Sequence, residues 1–218
     1  MLRGVFVTGT DTGVGKTVVS AALAARYVGA GPVRYWKPVQ TGIEHDDDTR
    51  TVEKLTGASA LHAGVRLPRP LSPHLSARLA GQPIDVTGLI ATAHALPSSP
   101  GFVVEGAGGV LVPLTDDTLV IDLLRQLALP AVVVARTTLG TINHTLLTLE
   151  ALRARGIPVA GVVLNGPENV ENRNAIAAYG RVAVLGHLPF IEPLTRDALA
   201  QEAARLDPDG RLLEFLRP

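Results

Sequence analysis

Short apolar runs rich in valine recur along the chain, separated by segments in which apolar residues return every three or four positions. The runs Gly4–Val7, Val33–Trp36, Phe102–Val104, Ala131–Ala135, Val159–Leu164 and Val182–Leu185 are largely continuous rather than alternating. An unbroken run such as Val132-Val133-Val134 leaves no polar face. It therefore predicts a strand buried on both sides, the parallel and helix-covered case. Helical spacing predicts helices over Lys16–Tyr27, Leu75–Ala80, Val86–Ala95, Leu119–Leu127, Thr141–Arg155 and Val170–Tyr179, with a helix-like stretch over Thr49–Leu55. Such alternation reads as an α/β fold: repeated right-handed crossovers around one open, mostly parallel sheet with helices on both faces. The stretch from Gly57 to Pro73, with prolines at 68, 70 and 73, is weakly patterned. Because the rhythm resumes after it, it reads as a long insertion within one domain covering 1–218.

Composition narrows the classes. The chain has no cysteine, which removes disulfide frameworks, thiolate metal sites, iron–sulfur clusters and a cysteine nucleophile. Twenty basic residues balance twenty acidic ones. A protein that lives by neutralising nucleic-acid phosphates is normally basic, so no nucleic-acid partner is expected. No run approaches the length of a membrane span, and a glycine-rich motif arrives before a secretion signal could fit. The expectation is a cytoplasmic protein without a membrane partner.

The first strand runs into Gly9-Thr10-Asp11-Thr12-Gly13-Val14-Gly15-Lys16-Thr17, followed at once by the helix opening Val18-Val19-Ser20. A loop of this kind turns successive backbone N–H groups toward one point and sets the positive end of a helix dipole behind them. Glycines let the chain curl tightly and approach a polyphosphate closely. Lys16 is placed to reach the β- and γ-phosphates, and the Thr17 hydroxyl to meet Mg²⁺. The common motif has four residues between its first glycine and the Gly-Lys pair, whereas five separate Gly9 from Gly15. The architecture expected is thus that of the phosphate-loop NTPases, with a nucleoside triphosphate bound at this loop.

Further chemistry clusters at strand ends. Lys37 leaves the second strand in Trp36-Lys37-Pro38-Val39-Gln40-Thr41-Gly42, either as a solvated lysine or pointing into the ligand crevice. His45-Asp46-Asp47-Asp48 opens the next helical stretch, where acids serve either as caps or as a metal ligand. Glu105 ends the third strand in Val104-Glu105-Gly106-Ala107-Gly108-Gly109. A carboxylate there is costly unless it is satisfied by neighbouring amides or faces a cation. Asn165, in Asn165-Gly166, reads by itself as a turn residue closing the Val159–Leu164 strand.

In order, these motifs resemble the dethiobiotin synthetases, ATP-dependent carboxylases that close the ureido ring in biotin synthesis. The resemblance rests on Gly9–Thr17, Lys37–Gly42, Ser72-Pro73-His74, Val104–Gly109, Leu139-Gly140-Thr141-Ile142-Asn143-His144 and Gly186-His187-Leu188-Pro189. It implies that 7,8-diaminononanoate, CO₂ and ATP are the substrates, through a carbamate and a carbamic–phosphoric anhydride, with Mg²⁺ as cofactor. It implies nucleotide contacts from Gly13, Val14, Gly15, Lys16, Thr17, Val18, Glu105, Gly106, Ala107 and Gly108. An adenine pocket follows from Asn165, Gly166, Leu188, Pro189 and Phe190, with Leu188 and Phe190 covering the base. Thr17, Asp48 and Glu105 would hold the metal, with Asp48 chosen over Asp46 and Asp47. Lys16, Lys37 and Thr12 would act on the transferring group, and Thr12, Lys37, Thr41 and Ser72 on the diamine end. Gly140, Ile142 and Asn143 would reach across a homodimer interface to the substrate carboxylate.

Two other phosphate-loop classes fit less well. Partitioning and septum-placing ATPases carry a lysine five positions before the invariant one, but that position here is Asp11. Amidoligases of cobalamin biosynthesis usually append a glutaminase domain with a nucleophilic cysteine, for which this chain has neither length nor residue.

Overall fold

The computed structural model describes residues 2–217. In chain order the elements are β1 (Gly4–Gly9), α1 (Lys16–Tyr27), β2 (Val33–Trp36), β3 (Val39–Thr41), α2 (Asp48–Thr56), β4 (Ala60–Leu61) and β5 (Val65–Leu67). There follow α3 (Pro73–Ala80), α4 (Val86–Ala95), β6 (Gly101–Gly109), α5 (Val120–Leu127), β7 (Ala131–Arg136) and α6 (Thr141–Ala154). The chain continues with β8 (Val159–Asn165), α7 (Val170–Gly180), β9 (Val184–Leu188), α8 (Arg196–Ala203) and α9 (Leu213–Leu216).

Seven strands form one sheet in the order β4-β2-β6-β1-β7-β8-β9, and each neighbouring pair is parallel. The continuous valine runs are used on both faces. Phe6, Val133 and Ala135 pack into one core with Leu124 of α5, Leu149 and Leu152 of α6 and Ile176 of α7. Val5, Val7, Val132 and Val134 point the other way, against Val19 and Leu23 of α1, Val52 of α2 and Leu199 of α8. Each fully buried side chain of this size contributes about 1.5–3 kcal/mol. The α/β expectation with helices on both faces holds.

Several boundaries move. β6 runs on through Gly109 instead of ending at Val104, so Glu105 lies within the strand and not at its tip. The reason is space: a Cβ on Gly106 would stand 2.8 Å from the Phe6 ring, so the glycine lets β6 pass close to β1. The last strand is Val184–Leu188 rather than Val182–Leu185, with Val163 of β8 beside Gly186 and Asn165 beside Leu188. The weakly patterned stretch holds two strands, too short to show a period. β4 extends the main sheet beside β2, and β5 pairs with β3 in a separate parallel ribbon. α3 begins at Pro73, a first-turn position where the missing N–H costs nothing.

The segment after α8, for which the pattern predicts no helix, is tied down by Asp207. This residue is fully buried and accepts hydrogen bonds from the Tyr27 hydroxyl, from Arg211 N at 2.9 Å and from Leu212 N at 2.8 Å. Tyr27 is the last residue of α1, so the helix that starts at the glycine loop ends against this anchor.

Candidate active site

Parallel strands bring their carboxyl ends to one edge of the sheet, where open α/β sheets bind ligands. The glycine loop fills the centre of that edge, between β1 and α1. Thr10 N donates to Val134 O at 3.0 Å, which fastens the loop's start to β7. Gly15, with φ +93°, is the residue before α1 and offers no side chain to cap it. The first-turn N–H groups of α1 are therefore left for an anion. A Cβ at Gly15 would also collide with the side-chain amide of Asn165. That amide braces the loop, since Asn165 Nδ2 donates to Val14 O at 2.9 Å. From β7, Arg136 Nη2 donates to Thr12 O at 2.8 Å and lies 3.4 Å from Asp11 Oδ2.

Beside the loop stands a cluster of charged side chains. Lys16 curls back to donate to Asp11 O at 3.0 Å. Burial pulls its ammonium down from 10.5 to about 8, partly offset by the negative charge of Glu105. Thr17 Oγ1 lies 2.9 Å from Asp48 Oδ1 and 3.1 Å from Glu105 Oε1. Lys37 Nζ lies 2.5 Å from Asp48 Oδ2 and 2.6 Å from Glu105 Oε1, and its side chain is only 6% exposed. Burial acts to lower the Lys37 pKa, but Glu105 and Asp48 outweigh it and hold it above its ordinary value. Burial likewise acts to raise the Asp48 pKa, and Lys37 overcomes it to leave the carboxyl below its ordinary range.

The three consecutive acids have separate positions. Asp48 turns its carboxylate into this cluster. Asp47 caps α2 by accepting from Arg50 N at 3.2 Å and pairs with Arg66, while Asp46 is exposed. One threonine proton cannot serve two carboxylates at once, so the Thr17–Asp48–Glu105 set is rich in lone pairs. Among the described residues no three His, Cys, Asp or Glu side chains form a metal site by themselves. Two carboxylates and a hydroxyl instead suit Mg²⁺, which keeps several waters and is usually held by one or two carboxylates plus substrate phosphates.

The other candidates lie around this centre. Thr12 is exposed at the loop tip, and a Cβ on Gly108 would be 3.5 Å from its hydroxyl, so Gly108 of β6 flanks the loop, while Ala107 before it lines a small cavity with Pro38 and Val39. Gly13 (φ +71°) is open, and Val18 is half-buried on α1. Thr41 ends β3 and Ser72 precedes α3, both half-buried and without a hydrogen bond to the charged cluster. Gly166 N donates to Leu188 O at 3.0 Å, which sets β9 beside Asn165. Phe190 is 74% exposed, but Leu188 has no exposed surface. The expectation that the Leu188 side chain covers a base is thereby corrected: β9 turns it into the core, leaving its backbone at the edge. Pro189 follows it.

Gly140 (φ +92°) precedes α6, Ile142 is half-buried and Asn143 exposed, with Leu139 fully exposed beside them. None of them bonds to the loop; the nearest link is Thr141 Oγ1 donating to Arg136 O. Between this helix and the end of β6 lies a cleft of about 500 Å³, lined by Asp11, Val110, Leu111, Val112, His144 and Leu147. Tyr179 stands apart, 78% exposed on α7.

Sequence reasoning missed Tyr35 and Arg136. Tyr35 reads as one more apolar strand residue, yet its hydroxyl donates to Glu105 Oε2 at 2.9 Å. The available signal was a tyrosine in a strand buried on both faces, where a hydroxyl must find a partner. Burial, with the adjacent Glu105 charge, raises its pKa well above the ordinary 10, so it remains a donor.

A parallel sheet with a glycine loop entering the helix after β1, two lysines and a lone-pair-rich pocket beside it defines a phosphate-loop nucleotide-binding protein. The fold is shared by the septum site-determining protein MinD complexed with Mg-ADP from Pyrococcus horikoshii, with a TM-score of 0.60 over 99% of this chain and 93% of that one at 16% identity. It is shared also by a ParA family ATPase from Chlorobium tepidum, with a TM-score of 0.57 over 99% and 96% at 12% identity. A family model described as an AAA domain matches residues 3–198. Within that class the chain is 49% identical to the ATP-dependent dethiobiotin synthetase BioD of Paramagnetospirillum magneticum, over 91% of this chain and 94% of the relative. It is 52% identical to the BioD of Rhodopseudomonas palustris strain HaA2, over 91% of both. The chain belongs to the ATP-dependent dethiobiotin synthetase family.

Proposed function

We propose that this ATP-dependent ligase of biotin synthesis converts 7,8-diaminononanoate, CO₂ and ATP into dethiobiotin, ADP and phosphate. The observation that carries the reading is the convergence of Lys16, Lys37, Thr17, Asp48 and Glu105 beside the open N-terminus of α1. One substrate amine takes up CO₂ as a carbamate and loses a proton to solvent. A carbamate oxygen attacks the γ-phosphorus, and the bond to the β–γ bridging oxygen breaks as ADP leaves. The second amine then attacks the carbonyl carbon of the carbamic–phosphoric anhydride. Phosphate departs, a second amine proton is lost to solvent and the ureido ring closes.

Positioning and charge stabilisation carry such a transfer. The N–H groups of Gly13, Val14, Gly15, Lys16, Thr17 and Val18 cradle the phosphates, and Gly106, Ala107 and Gly108 border them. Lys16 and Lys37 flank the transferring phosphoryl and offset its negative charge. Thr17, Asp48 and Glu105 hold Mg²⁺, which when bound supplies positive charge to the phosphate oxygens. Lys37 already lies against both carboxylates, beside the loop where the phosphoryl group would be held. Thr12, Thr41 and Ser72 hold the carbamate and diamine end. Asn165, Gly166 and Pro189 border the base and the Phe190 ring covers it, with Leu188 acting through its backbone. Gly140, Ile142 and Asn143 of a second copy take the substrate carboxylate; the exposed Leu111, Leu139 and Leu147 on that face support a homodimer.

The test supplies the diamine, ¹³C-bicarbonate, Mg²⁺ and ATP, and follows ADP and product by mass. Dethiobiotin labelled in its ureido carbon, formed one for one with ADP, is expected. ATP hydrolysis that ignores the diamine refutes the reading.

A further inference from the structure

The two oxygens of Glu105 have different surroundings. Oε1 is within 2.6 Å of Lys37 Nζ and 3.1 Å of Thr17 Oγ1, on the side facing the glycine loop. Oε2 accepts the Tyr35 hydroxyl at 2.9 Å. Tyr35 is fully buried on β2, level with Val103 of the neighbouring β6, and its ring belongs to the core that holds Val5, Val7 and Val103. A ring fixed on all sides holds its hydroxyl at one place, and a carboxylate bonded there cannot rotate freely about its own side-chain bonds. Such outer partners orient a ligand and tune what it binds.

We infer that Tyr35 is a positioning residue for Glu105: it occupies Oε2, so that Oε1 alone is presented to Thr17 and to the divalent ion of the nucleotide. The inference rests on the reading that Glu105 helps to hold Mg²⁺, and is independent of which amine the ligase carboxylates. Tyr35→Phe keeps the packed ring and removes the donor.

Calorimetric titration of the full chain with ADP, in Mg²⁺ and separately in EDTA, tests it. Tyr35→Phe should weaken Mg-ADP about tenfold, the lower end of what loss of an outer-shell partner costs, and leave metal-free ADP within about twofold of the parent. In a Glu105→Gln background the same change should have less than about a twofold effect, because the group it positions is altered. A version with 4-aminophenylalanine at position 35 retains an N–H donor and should bind Mg-ADP within about threefold of the parent, which keeps the test decisive if Tyr35→Phe folds poorly. Equal weakening with and without metal, an unchanged Mg-ADP affinity, or a full loss that persists in Glu105→Gln would each overturn the inference. A Glu105→Gln chain that binds Mg-ADP as the parent does would instead remove the reading beneath it.

Discussion

Two carboxylates in the described chain have no exposed surface at all, Glu105 and Asp207, and each accepts a hydrogen bond from a tyrosine. Helix α1 connects them, with Thr17 in its first turn beside Glu105 and Tyr27 at its last residue beside Asp207. Around Asp207 every donor is neutral: a phenol and the N–H groups of Arg211 and Leu212. Around Glu105 there is a phenol, but also a lysine ammonium and a threonine hydroxyl already shared with another acid. A buried acid matched by neutral donors holds a chain segment in place. One that shares its donors with a second acid, at the carboxyl edge of a parallel sheet, is arranged to exchange them for a ligand's charges. Burial by itself distinguishes neither; the partners do.

The largest expected effect strikes the second environment. Lys37→Ala should lower turnover by about 100- to 1,000-fold, as loss of a preplaced charge stabiliser does, with the thermal midpoint as a control for folding. Near-normal turnover would put Glu105 back in the same category as Asp207. Next, Asp48→Asn should raise the Mg²⁺ concentration needed for half-maximal rate by about tenfold. Asp47→Asn should leave that requirement unchanged, because asparagine caps a helix as well as aspartate does, whereas Asp47→Ala should cost about 1 kcal/mol of stability through the lost cap; a raised Mg²⁺ requirement in Asp47→Asn would move the metal to the cap. Phe190→Ala should raise the KM for ATP by roughly three- to tenfold with little change in turnover rate, as loss of one stacking face does.

The smallest effect lies at the other end of α1. Tyr27→Phe should destabilise the protein by about 1 kcal/mol in denaturant titrations near neutral pH and leave activity per folded molecule unaltered. The pH dependence has a definite sign. Burial, reinforced by Asp207, raises the Tyr27 pKa above its ordinary 10. The folded chain therefore holds this proton more tightly than the unfolded one. The stabilisation is whole below about pH 10 and falls away as pH rises beyond it. The parent should lose its advantage over Tyr27→Phe between about pH 10 and 12; an advantage that grows there would contradict the assignment.

The fold was legible because burial on both faces writes continuous valine runs, and because the loop's glycines and lysine carry a physical requirement that sequence displays directly. Short strands were not legible: β3, β4 and β5 span two or three residues each, fewer than one can read a period from. β6 reads short in the sequence because a glycine run resembles a loop, whereas Gly106 serves close approach to Phe6 of β1. Within the site, Lys37 stands out just past its strand and Glu105 as an acid amid apolar strand residues, but their mutual distance depends on β2 lying beside β6. Asp48 is separated from Asp46 and Asp47 by resemblance, and the geometry that distinguishes them is where α2 starts. Tyr35 stays hidden for the opposite reason. Its apolar body satisfies the strand pattern, and its hydroxyl gains meaning only across the sheet.

In the proposed reaction both lysines and the acidic pair address one terminal phosphoryl group, and the rest of the mechanism depends on it. A crystal structure with a nonhydrolysable ATP analogue, Mg²⁺ and the diamine tests this most directly. The expected result is the metal against Thr17, Asp48 and Glu105, with the Lys16 and Lys37 ammoniums on the γ-phosphoryl oxygens. A Lys37 ammonium turned away to solvent, with the acidic pair distant from the metal, would contradict it.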